Sequence, residues 1–382
     1  MFMFLLTLMV RFVIIHQEEA DRMKFVHMAD LHLDSKFESL SKVDGLAGKR
    51  RMEQRQALRD VVEFVKENDV ELLIIAGDLY EQNYIRKSSI EYVNRLFEEI
   101  PNTQVIITPG NHDPYITNSF YNTFKWAKNV YIFSGDAEKI DVKGIHVYGM
   151  AFTDFYCREN KIEEIKIDNP DDINLLAMHG TLDAAIDQYN HRDYNPVKKS
   201  TLEKKGFDYV ALGHVHKPYF EDEENQKVCY CGSLLSLGFD EPGKHGFILG
   251  TINGNEISKR FVQIDQREFC VEEIDITQCY SNEDIIDKIN KMSTKENDLY
   301  EVKLVGKRSF IINKNEISKM CQNSNIVKIK DKTQIGININ EISNEQSVRG
   351  IFVKNMLSKI DNEGLDEDYV IKAIEIGLEV LK

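Results

Sequence analysis

Short apolar runs alternate with amphipathic stretches through the first half of the chain. Residues 24–29 read as a buried strand that stops at Asp30-Leu31-His32. Between residues 50 and 68 the apolar positions Leu58, Val61, Val62 and Val65 recur at helical spacing, and an apolar run at 71–76 predicts the next strand. A helix is expected over 88–99, ended by Pro101. A buried strand at 104–108 then closes on Pro109-Gly110-Asn111-His112-Asp113. The pattern predicts a helix at 117–127 and strands at 130–133, 145–148 and 173–178, the last running into His179-Gly180. A strand at 208–212 runs into Gly213-His214-Val215-His216, and strand-like pieces follow at 227–231, 246–251 and 259–264.

Alternation early and strands late indicate an α/β domain. A polar stretch, Ile276-Thr277-Gln278-Cys279-Tyr280-Ser281-Asn282, reads as a boundary, which divides the chain into 23–275 and 276–382. The second part shows a helix, strands near 300–304 and 326–330, and a helical end from about residue 344. There, segments 347–360 and 366–381 place Ile351, Met356, Leu357 and Ile360, then Val370, Ile374, Leu378 and Leu381, at near-helical spacing. They are expected to pack on their own domain, with docking of a partner as the second reading.

At 382 residues the chain is long enough for two domains. A composition 42% hydrophobic and 29% charged excludes disordered and membrane classes. The net charge of −15 argues against a protein that holds nucleic acid by bulk positive charge. A nucleic-acid enzyme is still compatible with it, because bound divalent cations or a partner subunit would offset the acidity locally. Six cysteines without a CxxC pair are read as free thiols in a reducing cytoplasm.

Residues 1–22 stand apart. Met1 to Ile15 is apolar except for Thr7 and Arg11, yet no basic segment precedes it and no small-residue cleavage site follows. Translation is expected to begin at Met23, three codons after Gln17-Glu18-Glu19, which a purine-rich ribosome-binding sequence can encode. The extension is therefore read as non-native and as carrying no chemistry.

The chemistry lies at strand ends, the edge where open α/β sheets bind ligands. Five clusters follow apolar runs in order: Asp30-x-His32, Gly77-Asp78, Gly110-Asn111-His112-Asp113, His179-Gly180 and Gly213-His214-x-His216. Alone, an Asp-x-His or Gly-Asp is commonly a turn, and a single strand-end histidine is commonly structural. Gly-His-x-His says more, since two imidazoles two apart share one side of an extended segment. For chance to explain the set, every one of these strand ends would need a carboxylate, amide or imidazole. The combination reads as a metal site.

These clusters resemble the five signature motifs of calcineurin-type metallophosphoesterases. The resemblance implies a four-layer αββα sandwich with a smaller C-terminal α+β capping domain. It also implies two divalent metal ions, of which manganese suits the mixed oxygen and imidazole ligands best; iron and zinc are also compatible. Carried over by position, the first metal takes Asp30, His32, Asp78 and His216. The second takes Asp78, Asn111, His179 and His214, with Asp78 bridging. Two such ions stabilise an in-line displacement and generate a nucleophile at neutral pH. His112 is left to protonate or orient the leaving oxygen, with Asp113 expected to fix its tautomer.

Residues 26–34 and 207–218, with Gly232-Ser233-Leu234 and 239–243, are similar to the SbcD and YhaO branch of bacterial DNA-repair exonucleases. Residues 347–353 and the closing helix are most similar to YhaO. This implies phosphodiester hydrolysis in DNA, alongside an SbcC- or YhaN-like ATPase with a coiled coil; a homodimer is compatible with the sequence, and no membrane is implied. A small-molecule phosphodiesterase or phosphomonoesterase is the alternative, and a non-catalytic scaffold ranks last because no ligand is missing. One position departs: double-strand-break-repair relatives carry histidine three residues after the bridging aspartate, where this chain has Glu81. The segment 303–332 holds Lys303, Lys307, Arg308, Lys314, Lys319, Lys328, Lys330 and Lys332 against Glu316 and Asp331. It reads equally as a DNA-contacting patch or as a solvated surface.

Overall fold

The apolar runs become the strands of two mixed sheets because the central strands bury side chains on both faces. The structure, a computed structural model, describes residues 22–40, 43, 45–135, 137–183, 194–219, 226–310, 312–323, 325–336 and 339–381. The expected extension, 1–22, lies outside these residues except for Arg22, which already pairs with Asn253 in the first strand. The chain forms two compact units, one ending at Glu268 and the other beginning at Phe269.

In the first unit, β1 (Arg22–Met28), β2 (Leu72–Ile75), β3 (Gln104–Ile107) and β4 (Val130–Ile132) run parallel. Antiparallel β10 (Gly246–Asn253) and β11 (Glu256–Gln263) extend the sheet on the β1 side, in the order β11-β10-β1-β2-β3-β4. The second sheet is β5-β6-β7-β8-β9, formed by Glu138–Val142, Ile145–Met150, Asn174–His179, Tyr209–Gly213 and Val228–Tyr230. Its first pair is antiparallel and the rest are parallel.

Side chains alternate between the layers. Phe25, Leu72, Ile74 and Ile106 meet Val147, Leu175, Ala177, Tyr209 and Ala211 in the core between the sheets. Val26, Met28, Leu73, Ile75, Val105 and Ile107 face the other way, against α1 (Leu46–Glu67) and α2 (Lys87–Glu98). Tyr148, Met150, Leu176, Met178, Val210 and Leu212 cover the far face of the second sheet, under a 3-10 turn at Ile162–Glu164 and α4 (Lys199–Lys204). The result is the expected α/β layering, with a thin outer layer on that side among the described residues. Cys229 and Cys231 are free and buried between the sheets.

The helix expected over 117–127 is a single turn, α3 (Phe120–Thr123). Phe124 is extended, which lets Phe124 and Trp126 pack into the core while Trp126 Nε1 donates to Phe120 O at 3.0 Å. Helix α1 starts at Leu46, earlier than its apolar spacing predicts, and carries polar groups on its buried face. Gln54 Nε2 donates to Leu31 O and His32 O at 2.8 and 2.9 Å, which pins the loop after β1. Arg50 bonds Asp265, Glu53 and Ser236 O, and Arg267 adds a second cation on Glu53.

The second unit begins earlier than the polar stretch indicates. Residues Phe269–Asp275 form β12, which pairs in parallel with β13 (Leu299–Val305), itself parallel to β14 (Ile326–Asp331). Helix α5 (Asn282–Asn290) opens on a Ser281–Asp284 capping box, and with α6 (Lys314–Met320) it covers a core of Ile276, Ile285, Ile289, Val302, Leu304 and Ile317. Helices α7 (Val348–Glu363) and α8 (Glu367–Val380) pack through Val353, Val370, Ile374 and Leu378, whereas Ile351 is exposed. The lysine-rich segment is less open than its sequence implies. Buried Glu301 on β13 takes Lys328 and Lys330, each at 2.9 Å, and buried Arg308 is held by Thr333 Oγ1 and Phe310 O.

Candidate metal centre

Each motif follows a strand whose last residues are buried, so its side chains start from a rigid edge. The backbone turns sharply there: Asp30, His32, Asp78 and His214 have φ of 51°, 48°, 52° and 99°. Asp and His tolerate this left-handed region better than most residues, but it remains uncommon and costly. The turns are tied together. Asp30 N donates to Gly77 O at 3.1 Å and His32 N to Asp78 O at 2.9 Å. Gly213 and Gly110 let the loops approach. A Cβ at Gly213 would overlap Ala76 O and lie 2.9 Å from both Ala29 Cβ and His179 Nδ1, and one at Gly110 would overlap the Asp78 carboxylate.

Asp113 holds the loop after β2. Its oxygens accept from the amides of Gly110, Asp78, Leu79 and Tyr80 at 2.7, 3.1, 2.6 and 3.3 Å, and from Tyr121 OH at 2.7 Å. Burial, then the charge of Asp78, raises the Asp113 carboxyl. The donors oppose protonation, since an acid O–H would face amides that can only donate. This corrects the expected role of Asp113: both oxygens are committed to backbone and Tyr121. His112 Nδ1 instead bonds Glu81 Oε2 at 3.0 Å.

The structure brings Asp30, His32 and His216 into one cluster and Asp78, His179 and His214 into another. Within each cluster the potential ligand atoms lie within 4.8 Å of one another. Asn111 joins the second, its Oδ1 3.1 Å from His179 Nε2 and 3.2 Å from His214 Nδ1. Asp78 Oδ2 lies between the two, 3.2 Å from His179 Nε2 and 3.6 Å from His32 Nε2. Each cluster draws on loops of both sheets, Asp30, His32, Asp78 and Asn111 from the first and His179, His214 and His216 from the second.

The tautomers show what these atoms await. His32 Nδ1 is 2.8 Å from Glu81 Oε1 and His216 Nδ1 is 2.5 Å from Glu241 Oε1, so each donates its Nδ1–H to a carboxylate. Their Nε2 lone pairs then face each other at 3.2 Å. His179 Nδ1 donates to Ala76 O at 2.8 Å, which turns its Nε2 lone pair onto the acceptors Asn111 Oδ1 and Asp78 Oδ2. Converging lone pairs repel unless a cation lies among them, and imidazoles backed by carboxylates or carbonyls are the usual arrangement of metal-ligating histidines. The donor set fits two divalent ions.

Without cations, protons take that role. Burial opposes a charged His179 and a charged His216, but Asp78 pushes the first up to about 9 and Glu241 the second up to about 10. Burial likewise opposes ionised Asp78, yet His179 holds it well below the usual carboxylate range. At Asp30 burial prevails over the facing imidazoles and raises the carboxyl. His112 stands at the edge with 43% of its side chain exposed. Burial lowers it, and Glu81 first, then Asp78, push it up to about 9. Glu81 itself, against its burial, is pulled down to about 2 by His112 and His32.

Glu81 and Glu241 hold the imidazoles of His32, His112 and His216, and the motif pattern alone does not reveal them. The signal for Glu81 was its departure from the relatives' histidine, and Glu241 lies in the 239–243 segment, whose role was unread. His27, inside the first motif stretch, is structural: its ring meets Tyr209 OH at 2.8 Å and Leu212 O at 3.2 Å, and burial pushes it down to about 3.

A calcineurin-like phosphoesterase family model matches residues 23–218. An uncharacterized metallophosphoesterase, YhaO, of Bacillus subtilis (strain 168) is 28% identical over 246 residues, which cover 62% of this chain and 59% of that protein. The chain thus matches less than two thirds of that relative's length. Among solved structures, GAP50, the anchor in the inner membrane complex of Plasmodium, is similar at a TM-score of 0.41 and 12% identity, covering 82% of this chain and 98% of that one. Purple acid phosphatase PPD1 from seeds of yellow lupin (Lupinus luteus) is similar at 0.39 and 11%, covering 64% and 52%.

Proposed function

The chain belongs to the calcineurin-like phosphoesterase family, and from that premise we propose that it is a manganese-dependent DNA exonuclease. The observation that carries the chemistry is the pair of clusters joined at the Asp78 carboxylate, with imidazole lone pairs turned inward. The ligands would divide as Asp30, His32, Asp78 and His216 for one ion and Asp78, Asn111, His179 and His214 for the other. When bound, the ions would act as Lewis acids toward a phosphodiester and make water acidic enough to attack at neutral pH.

The remaining work falls to the chain's own side chains. Glu81 orients two imidazoles at once, His32 toward its cluster and His112 toward the opening. His112, its Nδ1–H committed to Glu81, presents Nε2 as the group that donates a proton to the leaving oxygen. Asp113 and Tyr121 keep the loop rigid, so that Asn111 and His112 hold their places.

DNA as substrate is supported by the likeness of residues 26–34 and 207–218 to the SbcD and YhaO branch, as is an SbcC- or YhaN-like ATPase partner in the cytoplasm. A second reading, a small-molecule phosphodiesterase, is favoured by the net charge and by the internal neutralisation of Lys328 and Lys330 by Glu301 and of Arg308 by Asp331. The deciding experiment offers end-labelled DNA and bis-p-nitrophenyl phosphate with manganese, beside an Asp78→Ala control. Loss of both activities in the control and degradation of DNA by wild type is the expected result. Hydrolysis of the small ester alone would replace the nuclease reading with the second.

A further inference from the structure

We propose that a basic cavity beside the metal centre is a subsite for a neighbouring phosphate of the DNA strand; the proposal rests on the nuclease reading and sharpens it. The cavity, about 580 Å³, is lined by Asp34, Lys36, Arg51, Arg55, Asn83, Tyr84 and Arg86. Four cations meet one carboxylate there, in a chain whose net charge is −15.

That carboxylate is already spent. Asp34 takes Arg55 on one oxygen, and on the other the Ser89 hydroxyl at 2.6 Å and the Arg86 amide at 3.4 Å. Lys36, Arg51 and Arg86 are left to give the cavity its field. Arg51 has a long hydrogen bond to Lys36 O at 3.4 Å. Lys36 lies 4.0 Å from exposed Glu38 and 4.2 Å from the centre of the Tyr84 ring. The Arg86 guanidinium has no hydrogen bond or ion pair among the described residues. A weakly satisfied set of guanidinium and ammonium groups suits phosphate oxygens. Tyr84, 45% exposed, carries Lys36 over one face of its ring and so holds that ammonium at the cavity.

Position ties the cavity to the chemistry. Its walls continue the two loops that carry His32 and Glu81: Glu81 N donates to Leu33 O at 3.1 Å and Gln82 N to His112 O at 2.9 Å. Asp34 is two residues from His32, a reach of at most about 7 Å. A substrate with one phosphate would fill the metal centre and gain nothing here, whereas a polynucleotide always has another phosphate to place.

The test compares the full-length Arg51→Gln/Arg86→Gln double variant with wild type, and Arg86→Gln alone guards against misfolding at half-buried Arg51. On a single-stranded end-labelled oligonucleotide, KM is expected to rise about tenfold. The salt slope of log KM should flatten by about 0.7 for each charge removed. The loss on bis-p-nitrophenyl phosphate should be at least several-fold smaller. Equal losses on both substrates, or an unchanged salt slope, would overturn the proposal. So would an equal loss on a nucleoside diphosphate, which would make the cavity a site for free polyphosphates. Failure of the nuclease reading is told apart by fluorescence anisotropy of a labelled oligonucleotide without added metal. Wild type binding more tightly than the double variant supports the subsite even where no DNA is cut, and equal or absent binding overturns it.

Discussion

Replacing Glu81 by glutamine keeps its size but removes its charge and leaves one acceptor oxygen where two imidazoles each use one. His32 and His112 place Nδ1 at 2.8 and 3.0 Å from its two oxygens. The rise of His112 from about 6.5 to about 9 would correspond to about 3 kcal/mol at 1.36 kcal/mol per pH unit. Solvent at a ring 43% exposed discounts that figure, and Asp78 and Asp113 supply part of it, leaving about 1–2 kcal/mol for Glu81. An acid must be protonated to act, so lowering its pKa moves the alkaline limb of the kcat/KM profile to lower pH, here by about one unit. On DNA, whose leaving alkoxide needs a proton, this adds about tenfold above pH 9 to whatever is lost through His32, and almost nothing at pH 7, where the ring stays protonated either way. On bis-p-nitrophenyl phosphate, whose leaving phenolate needs none, only the His32 share is expected, about 10- to 100-fold for a group that orients a metal ligand. The assay is therefore the ratio of the two losses together with the pH profile. Equal losses and an unmoved limb would refute a role for Glu81 through His112, and no loss on either substrate would remove it from the site.

Manganese binding should release protons at pH 7, because His179 and His216 are charged below about 9 and about 10 in the metal-free protein and must be neutral to ligate. Affinity should then climb with pH, and calorimetric heats should vary with the ionisation enthalpy of the buffer; heats independent of buffer would contradict this. Arg50→Met should cost about 3–5 kcal/mol in urea unfolding, since it strands Asp265 beside a buried cavity of lost bonds. Glu53, against its burial, is held below its usual range by Arg50 and Arg267. Its contribution is thus present above about pH 4.3 and lost as pH falls through the lower folded value, so wild type should lose more stability than the variant between about pH 5 and 3. A parallel decline of the two proteins would refute that coupling. Gly213→Ala should abolish manganese uptake and destabilise by about 1–3 kcal/mol, as the added methyl drives His179 and the β8 edge from Ala76; normal metal content would show that the approach is not needed.

The strand ends could be read from sequence because strands buried on both faces leave unbroken apolar runs, and a polar cluster after such a run stands out. Five clusters stand out that way, the family resemblance picks seven ligands from them, and the fold places those seven in two groups. The supporting carboxylates could not be found by pattern, since Glu81 and Glu241 meet their histidines only through the tertiary fold. Strand β5 was missed because Glu138, Lys139 and Asp141 interrupt its apolar positions at a sheet edge. Strand β12 was missed because Glu272, Glu273 and Asp275 make it look like a linker. The lysine-rich segment misled for the opposite reason: Glu301, which quenches Lys328 and Lys330, sits on the neighbouring strand rather than beside them in sequence.

Because both clusters recruit side chains from the two sheets, a seated cation would also rivet one half of the sandwich to the other. Each ion at a hundredfold excess over its Kd would add about 2.7 kcal/mol to the folded state. Chelation should then soften the scaffold as well as silence it, and melting temperature and turnover should rise along one curve as manganese is restored.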